Sequence, residues 1–143
     1  MSLLLLDTDH ISLYLRNDQK IVEKFNQNNS QIVVSIISFQ EVMNGWVGSL
    51  NQSVQSRDGT IYRYHQLWLA SDFFKSLPIV EFDSIAYDRC FNLLSNNPQL
   101  QKKRLLQDIR IASIALSLGA TVVTRNRRDF ALVPGLKIED WSI

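Results

Sequence analysis

Three acidic residues lie at positions where a carboxylate could bind a metal ion or take part in catalysis. Asp7 directly follows an apolar run at 3–6, Glu41 lies in SFQEVM, and Asp108 lies in the largely apolar segment LLQDIRIASIAL. Carboxylate oxygens suit Mg²⁺ and Mn²⁺, and such an ion can lower the pKa of a bound water and offset charge on a phosphate. No Ser–His or Cys–His nucleophile pair is recognisable, so a metal-activated water is the simpler interpretation.

Each acid also has a structural explanation. Asp7 can cap the helix that follows it, since Asp is a favoured N-cap residue. Glu41 fits a capping box in which Ser38 is the N-cap. Asp108 gains from the dipole near the start of its helix, yet an ionised carboxylate in apolar surroundings needs a cation or several donors. Asp108 is therefore the hardest of the three to explain structurally.

A second polar cluster, TRNRRDF, follows the apolar run that ends near residue 124. Asn126 could complete a metal site through its carbonyl oxygen or through a water. Asp129 could add a negative charge to that site, or it could pair with a neighbouring arginine.

Strands and helices alternate among the elements that must position these residues. Continuous apolar runs are typical of strands covered on both faces, and they predict strands at 3–6, 32–34, 79–82, 120–124 and 136–139. The helices are predicted at about 19–27, 38–49, 60–76, 84–96 and 105–118, with loops at 26–31 and 51–59. This alternation predicts an α/β fold with a parallel sheet, in which functional groups gather at the carboxyl ends of the strands.

Length and composition indicate how many domains the chain forms, whether it has disulfides and where it is located. The chain has 143 residues, 45% of them hydrophobic, a formal net charge of +1 and one cysteine. We therefore expect one domain covering 1–143, without an intrachain disulfide. No run suits a signal peptide or a membrane span, so the expected location is the cytoplasm.

Taken together, these segments resemble the PIN-domain family, and more narrowly the VapC-like toxins of bacterial type II toxin–antitoxin pairs. The similar stretches are LLLLDTDHISLYLR, SIISFQEVMNGW, LLQDIRIASIALSLGATVVTRNRRDF and VPGLKIEDW, in the family's order. The resemblance implies a three-layer α/β/α sandwich, Mg²⁺- or Mn²⁺-dependent endonucleolytic cleavage of RNA, and a homodimer inhibited by an antitoxin. It also implies a catalytic and metal-binding role for Asp7, Glu41 and Asp108. The fourth polar position falls on Asn126 ahead of Asp129, and Thr124 is the accompanying hydroxyl.

Two features depart from the family's pattern. Asp9 stands where many relatives have Asn, and we expect it to support the site as an added charge. A basic run replaces a Gly-containing approach to Asp108, which puts the shape of that loop in doubt. The candidates for contacts with the RNA backbone are Lys102, Lys103, Arg104, Arg125, Arg127 and Arg128, although such residues can equally form a solvated surface. Base stacking could involve Trp46, Tyr64 or Trp68, which could instead be core or dimer interface.

Two other functions remain open at this point. A haloacid-dehalogenase-like phosphatase would use Asp7 as its nucleophile, but His10 follows where glycine is expected and no Gly-Asp-x-x-x-Asp appears later. A PIN-like binding module without catalysis is the other alternative, and the retained acids argue against it.

Overall fold

Five short strands form one parallel sheet in a computed structural model that describes residues 2–52 and 55–143. The strands are β1 (Leu4–Leu6), β2 (Ile32–Ser35), β3 (Ile79–Val80), β4 (Thr121–Val123) and β5 (Lys137–Glu139). Their order across the sheet is β3-β2-β1-β4-β5. Leu6 is in register with Val34 on one side and with Val123 on the other. The first strand is thus central, and the residue after it lies between the ends of two neighbours.

Helices connect the strands and cover both faces of the sheet. They are α1 (Thr8–Leu15), α2 (Gln19–Asn28), α3 (Ile36–Asn51), α4 (Arg57–Lys75), α5 (Ser84–Asn96), α6 (Leu106–Leu118) and the single turn α7 (Arg127–Phe130). Short 3₁₀ turns occupy Asn29–Gln31, Pro98–Leu100 and Lys103–Leu105. In the described ranges, no helix is both long enough and apolar enough to cross a bilayer.

Two apolar cores lie on opposite faces of the sheet. Leu5 and Val122 point into a core shared with α5 and α6, whereas Leu4, Leu6 and Val123 point into a core shared with helices α1 to α4. Because side chains alternate along a strand, apolar residues at every position mean that both faces are buried. The predicted three-layer sandwich with a central parallel sheet is confirmed.

Several predicted boundaries were wrong. Helix α1 was not predicted, and the expected loop at 26–31 is helical throughout. The expected connection at 51–59 is shortened from both sides by α3 and α4, and its residues Ser53 and Val54 lie outside the described residues. The predicted strand at 79–82 contains only Ile79–Val80, because its partner β2 pairs with it over two residues.

Two aromatic residues of helix α4 that were candidates for the core, Tyr64 and Trp68, lie in solvent. Tyr64 is 59% and Trp68 61% exposed, so a core position is excluded for both. The buried residues of α4 lie towards its end, at Ala70, Phe73 and Phe74. Earlier in the helix, Arg63 Nε donates to Ser49 Oγ of α3 at 2.8 Å. This half of α4 packs on α3 instead of the sheet, which leaves the aromatic side chains in solvent.

The left-handed turn at Gly119 connects α6 to β4 and can be tested by substitution. Gly119 has φ +65°, and an added Cβ would contact nothing within 4 Å, so Gly119→Ala should destabilise the fold by about 1 kcal/mol through backbone strain alone. Gly48 lies in α3 with equally open space, so Gly48→Ala should stabilise it by roughly 0.5–1 kcal/mol. Urea unfolding of both variants measures the difference. Equal effects of the two changes would contradict the assignment of strain to residue 119.

Candidate active site

Asp7 lies at the carboxyl end of the central strand and is almost fully buried. Its backbone N–H donates to the Val123 carbonyl at 2.9 Å, which continues the pairing of β1 with β4. The residue occupies the N-cap position of α1, but its side chain makes no capping hydrogen bond. Instead, Asp7 Oδ2 accepts a 2.8 Å hydrogen bond from the Thr124 hydroxyl, and the side chain is 5% exposed. The capping explanation is therefore wrong for this carboxylate.

Thr124 joins the two acids of the DTD segment to the loop after β4. Its buried hydroxyl lies 3.3 Å from Asp9 Oδ2 as well as 2.8 Å from Asp7 Oδ2. The same oxygen accepts a 2.9 Å hydrogen bond from the Asn126 backbone N–H. The loop is thereby fixed against the end of β1.

Asn126 holds Asp108 from the other side. Asp108 is the third residue of α6, and its Oδ2 accepts a 3.0 Å hydrogen bond from Asn126 Nδ2. The same amide nitrogen donates to Asp129 Oδ2 at 3.1 Å. Asp129 also pairs with Arg104 at 3.0 Å, and this contact holds the pKa of Asp129 below its usual range. Pairing of Asp129 with an arginine is confirmed, and its main partner comes from the basic run before α6.

Glu41 is held by a residue that the sequence analysis did not single out. The Thr8 hydroxyl donates to Glu41 Oε1 at 2.7 Å and lies 3.0 Å from the Ser38 hydroxyl. The capping box was wrong, because α3 begins two residues earlier than predicted. Its N-cap is Ser35, whose Oγ accepts from the Ser38 backbone N–H. Glu41 therefore has no capping role.

Burial and nearby negative charges raise the pKa of two acids of this cluster, Asp7 and Asp108. Burial raises the pKa of Asp7 to about 7, with a further contribution from the charge of Asp9. Burial also raises the pKa of Asp108 to about 6, assisted by the charges of Glu41 and Asp129. Within the described residues, no Lys, Arg or His nitrogen lies within 4.0 Å of the carboxylates of Asp7, Glu41 or Asp108. The repulsion between these three acids is thus not relieved by an ion pair.

The carboxylates are near one another without forming a closed cage. Across 2–52 and 55–143, no three His, Cys, Asp or Glu side chains are gathered as a metal site. The second oxygens of Glu41 and Asp108 accept no hydrogen bond from the described residues. Oxygen donors of this kind suit a hard divalent ion.

The basic candidates lie next to this cluster in the fold. The run Lys102–Arg104 directly precedes α6, and the arginines at 125, 127 and 128 follow β4. All of these side chains are exposed. Arg104 contacts Asp129, and Arg128 Nε lies 3.8 Å from the same carboxylate. Cations therefore stand beside Asp129, at the edge of the acidic cluster and away from its centre.

Thr8 and His10 are the polar residues that sequence reasoning missed at this site. Thr8 contacts Glu41 across a separation of 33 residues, which no local pattern reveals. His10 is fully buried and lies 2.7 Å from Asp9 Oδ1. The adjacent letters DTDH were the only available sign that these residues share one site.

The raised pKa values predict how pH affects the metal-free protein. Unfolded Asp titrates near pH 3.9, so between about pH 4 and pH 7 the folded state keeps protons that the unfolded state has lost. Raising the pH through this window should therefore lower the free energy of unfolding. We expect Asp7→Asn and Asp108→Asn to flatten this dependence and to raise the unfolding temperature at pH 8, measured in chelator. The exposed Asp88→Asn on α5 is the control, and a slope that all three variants share would contradict the prediction.

Comparisons with known proteins agree with this architecture. The model of the PIN domain family matches residues 4–136. The tRNA(fMet)-specific endonuclease VapC of Salmonella typhimurium is 28% identical over 138 residues, which cover 96% of each chain. Ribonuclease VapC1 of Haemophilus influenzae is 27% identical over 143 residues, covering 96% of this chain and 97% of that one. The crystal structure of DNA-bound VapBC from Salmonella typhimurium superposes with a TM-score of 0.78 at 28% identity, covering 99% of both chains. The chain therefore belongs to the PIN domain family.

Proposed function

We propose that this protein is a Mg²⁺- or Mn²⁺-dependent endoribonuclease and the toxin of a type II toxin–antitoxin pair, acting in the cytoplasm. The observation that carries the proposal is the cluster of mutually repelling carboxylates of Asp7, Glu41 and Asp108, for which the described residues provide no Lys, Arg or His nitrogen within 4.0 Å. Relatives that match over nearly the whole chain are called endonuclease or ribonuclease, which supports RNA as the substrate.

Asp7, Glu41 and Asp108 would hold the ion. When bound, a divalent ion supplies an activated water and offsets the charge that develops on the scissile phosphate. Each of the three acids accepts from a neutral side chain: Asp7 from Thr124, Glu41 from Thr8, and Asp108 from Asn126. These donors orient one oxygen of each carboxylate without cancelling its charge. Partners of this kind fix metal ligands in other proteins.

The basic residues at the edge of the cluster would bind the RNA backbone. Exposed lysines and arginines attract phosphates, and their contribution falls as salt rises. Arg104 is engaged with Asp129, so we assign phosphate binding chiefly to Lys102, Lys103, Arg125, Arg127 and Arg128. Asp129 then holds the side chains of Asn126 and Arg104 in place and is not a further metal ligand.

A phosphatase mechanism has less support. It would require Asp7 to attack phosphorus directly, and the sequence lacks the Gly-Asp-x-x-x-Asp segment expected of such a phosphatase. The family model that matches residues 4–136 is that of the PIN domain. A binding module without catalysis differs from our proposal only in activity, and the experiment below separates the two.

A homodimer and an antitoxin are part of the proposal. The structure from Salmonella typhimurium is of a VapBC complex. Here, exposed apolar side chains form two sets that could contact other chains, namely Ile61, Tyr62, Tyr64 and Trp68 on α4, and Ile85, Tyr87 and Phe91 on α5. Where such side chains form one contiguous patch, they mark a protein-binding surface.

The nuclease function is tested with purified protein and single-stranded RNA. We expect cleavage with Mg²⁺ or Mn²⁺ and none in chelator, and loss of at least about 100-fold in rate for Asp7→Asn and Asp108→Asn. Asp88→Asn, exposed on α5, should cleave like the wild type. Hydrolysis of a phosphate monoester with intact RNA would instead indicate the phosphatase. Divalent-ion binding without either activity would indicate the binding module.

Thr124 offers a test of how the site is held together. Thr124→Val keeps the shape but removes the donor to Asp7, so we expect kcat to fall by about 10–100-fold. Thr124→Ser keeps the hydroxyl and should retain most of the activity. Unfolding midpoints of both variants control for stability. Equal activity of the Val and Ser variants would show that the hydrogen bond to Asp7 does not matter for turnover.

A further inference from the structure

His10 is a fully buried histidine with a partner at each ring nitrogen. Nε2 lies 3.1 Å from the backbone nitrogen of Trp141 and 3.6 Å from Asp140 Oδ1, and Nδ1 lies 2.7 Å from Asp9 Oδ1. A backbone N–H can only donate, so Nε2 must accept and carries no proton. The ring proton is then on Nδ1 and is donated to Asp9. These two hydrogen bonds fit a ring whose proton lies on Nδ1.

This arrangement excludes His10 from acid–base chemistry with a substrate. Neither nitrogen is exposed, and both are used by protein groups. The ring also packs edge-on against the Trp141 indole, with centroids 6.2 Å apart. A general acid or base must reach the group whose proton it moves. His10 can act on the reaction only through the residue to which it donates.

Asp9 connects His10 to the loop after β4 through hydrogen bonds on both of its carboxylate oxygens. While Oδ1 accepts from His10, Oδ2 accepts from the Arg125 backbone N–H at 3.2 Å and lies 3.3 Å from the Thr124 hydroxyl. The next residue in that loop is Asn126, which donates to Asp108. One continuous path of hydrogen bonds therefore runs from the Trp141 backbone through His10 and Asp9 to the loop that holds Asp108.

We propose that His10 is a positioning residue for the ribonuclease reaction: it aims the Asp9 carboxylate at Thr124 and Arg125 and so sets Asn126 beside Asp108. This inference rests on the proposed function. Without the Nδ1 donor, Asp9 Oδ1 loses its 2.7 Å hydrogen bond, and only the loop after β4 still fixes the direction of the Asp9 carboxylate. Arg125 and Thr124 then have an acceptor that His10 no longer holds in place. The alternative is that His10 only anchors the segment around Trp141.

Two substitutions of His10 separate these roles. His10→Asn places an amide nitrogen near the position of Nδ1, so it can still donate to Asp9 but cannot reach the Trp141 N–H. His10→Gln extends to the position of Nε2, so its amide oxygen can accept from Trp141 while the donor to Asp9 is lost. We expect kcat to stay within about threefold of wild type for Asn and to fall about tenfold or more for Gln, with KM little changed in both. The opposite order would assign His10 to anchoring alone and overturn the proposal.

Nuclear magnetic resonance of the metal-free protein gives a readout that does not depend on activity. Nitrogen-15 spectra of wild type should show the ring proton on Nδ1 of His10. The amide signals of Arg125 and Asn126 should move in His10→Gln and stay near their wild-type positions in His10→Asn. A proton found on Nε2, or equal movement of these amides in both variants, would overturn the proposal. Unfolding midpoints measured beside these spectra show whether either variant is merely unstable.

Failure of this inference is distinguishable from failure of the proposed function. If wild type does not cleave RNA with Mg²⁺ or Mn²⁺, the ribonuclease proposal falls, and the resonance data alone decide whether His10 positions the loop. If wild type cleaves RNA but the Gln variant is as active as the Asn variant, the ribonuclease proposal stands and the role of His10 is overturned.

Discussion

The Asp7 carboxylate is placed where water scarcely reaches it, and the charge of Asp9 acts on it from the same segment. Burying an ionisable group beside like charges costs free energy, and the rest of the fold must supply it. The parallel sheet does so by burying both of its faces against helices. Because β1 is central, the ends of its two neighbours, at Ser35 and Thr124, are level with Asp7. Burial of the sheet thus offsets the free-energy cost of keeping the Asp7 carboxylate away from water.

The donors that orient the acids have a common property: none of them is charged. Two hydroxyls and one amide hold Asp7, Glu41 and Asp108. A lysine or arginine at the same positions would form an ion pair and cancel the field that attracts a cation. The cations are found one step away, where Arg104 and Arg128 approach Asp129. The neutral donors therefore set the orientation of the three carboxylates, whereas the arginines place positive charge beside the cluster.

The sequence predicted those parts of the site that depend on strand ends and helix boundaries. Asp7 and the segment at 124–130 follow apolar runs, and the helix that carries Asp108 ends at a glycine, so their placement could be inferred. Helix α1 was missed because Thr8–Leu15 has only two buried residues and no clear apolar stripe. The links between the acids were also out of reach, since Thr124 and Asp7 lie 117 residues apart. Local patterns carry no information on such pairs.

The central position of the first strand also affects the order in which the protein can fold. Leu4–Leu6 pairs with Ile32–Ser35, which is made soon afterwards, but its other neighbour is Thr121–Val123. Closing so long a loop is slow, and the pairing cannot begin before that strand has left the ribosome. Asp7 gains its Thr124 partner only at that stage. A chain emerging from the ribosome thus remains without an assembled carboxylate cluster until the strand Thr121–Val123 and Thr124 have been made.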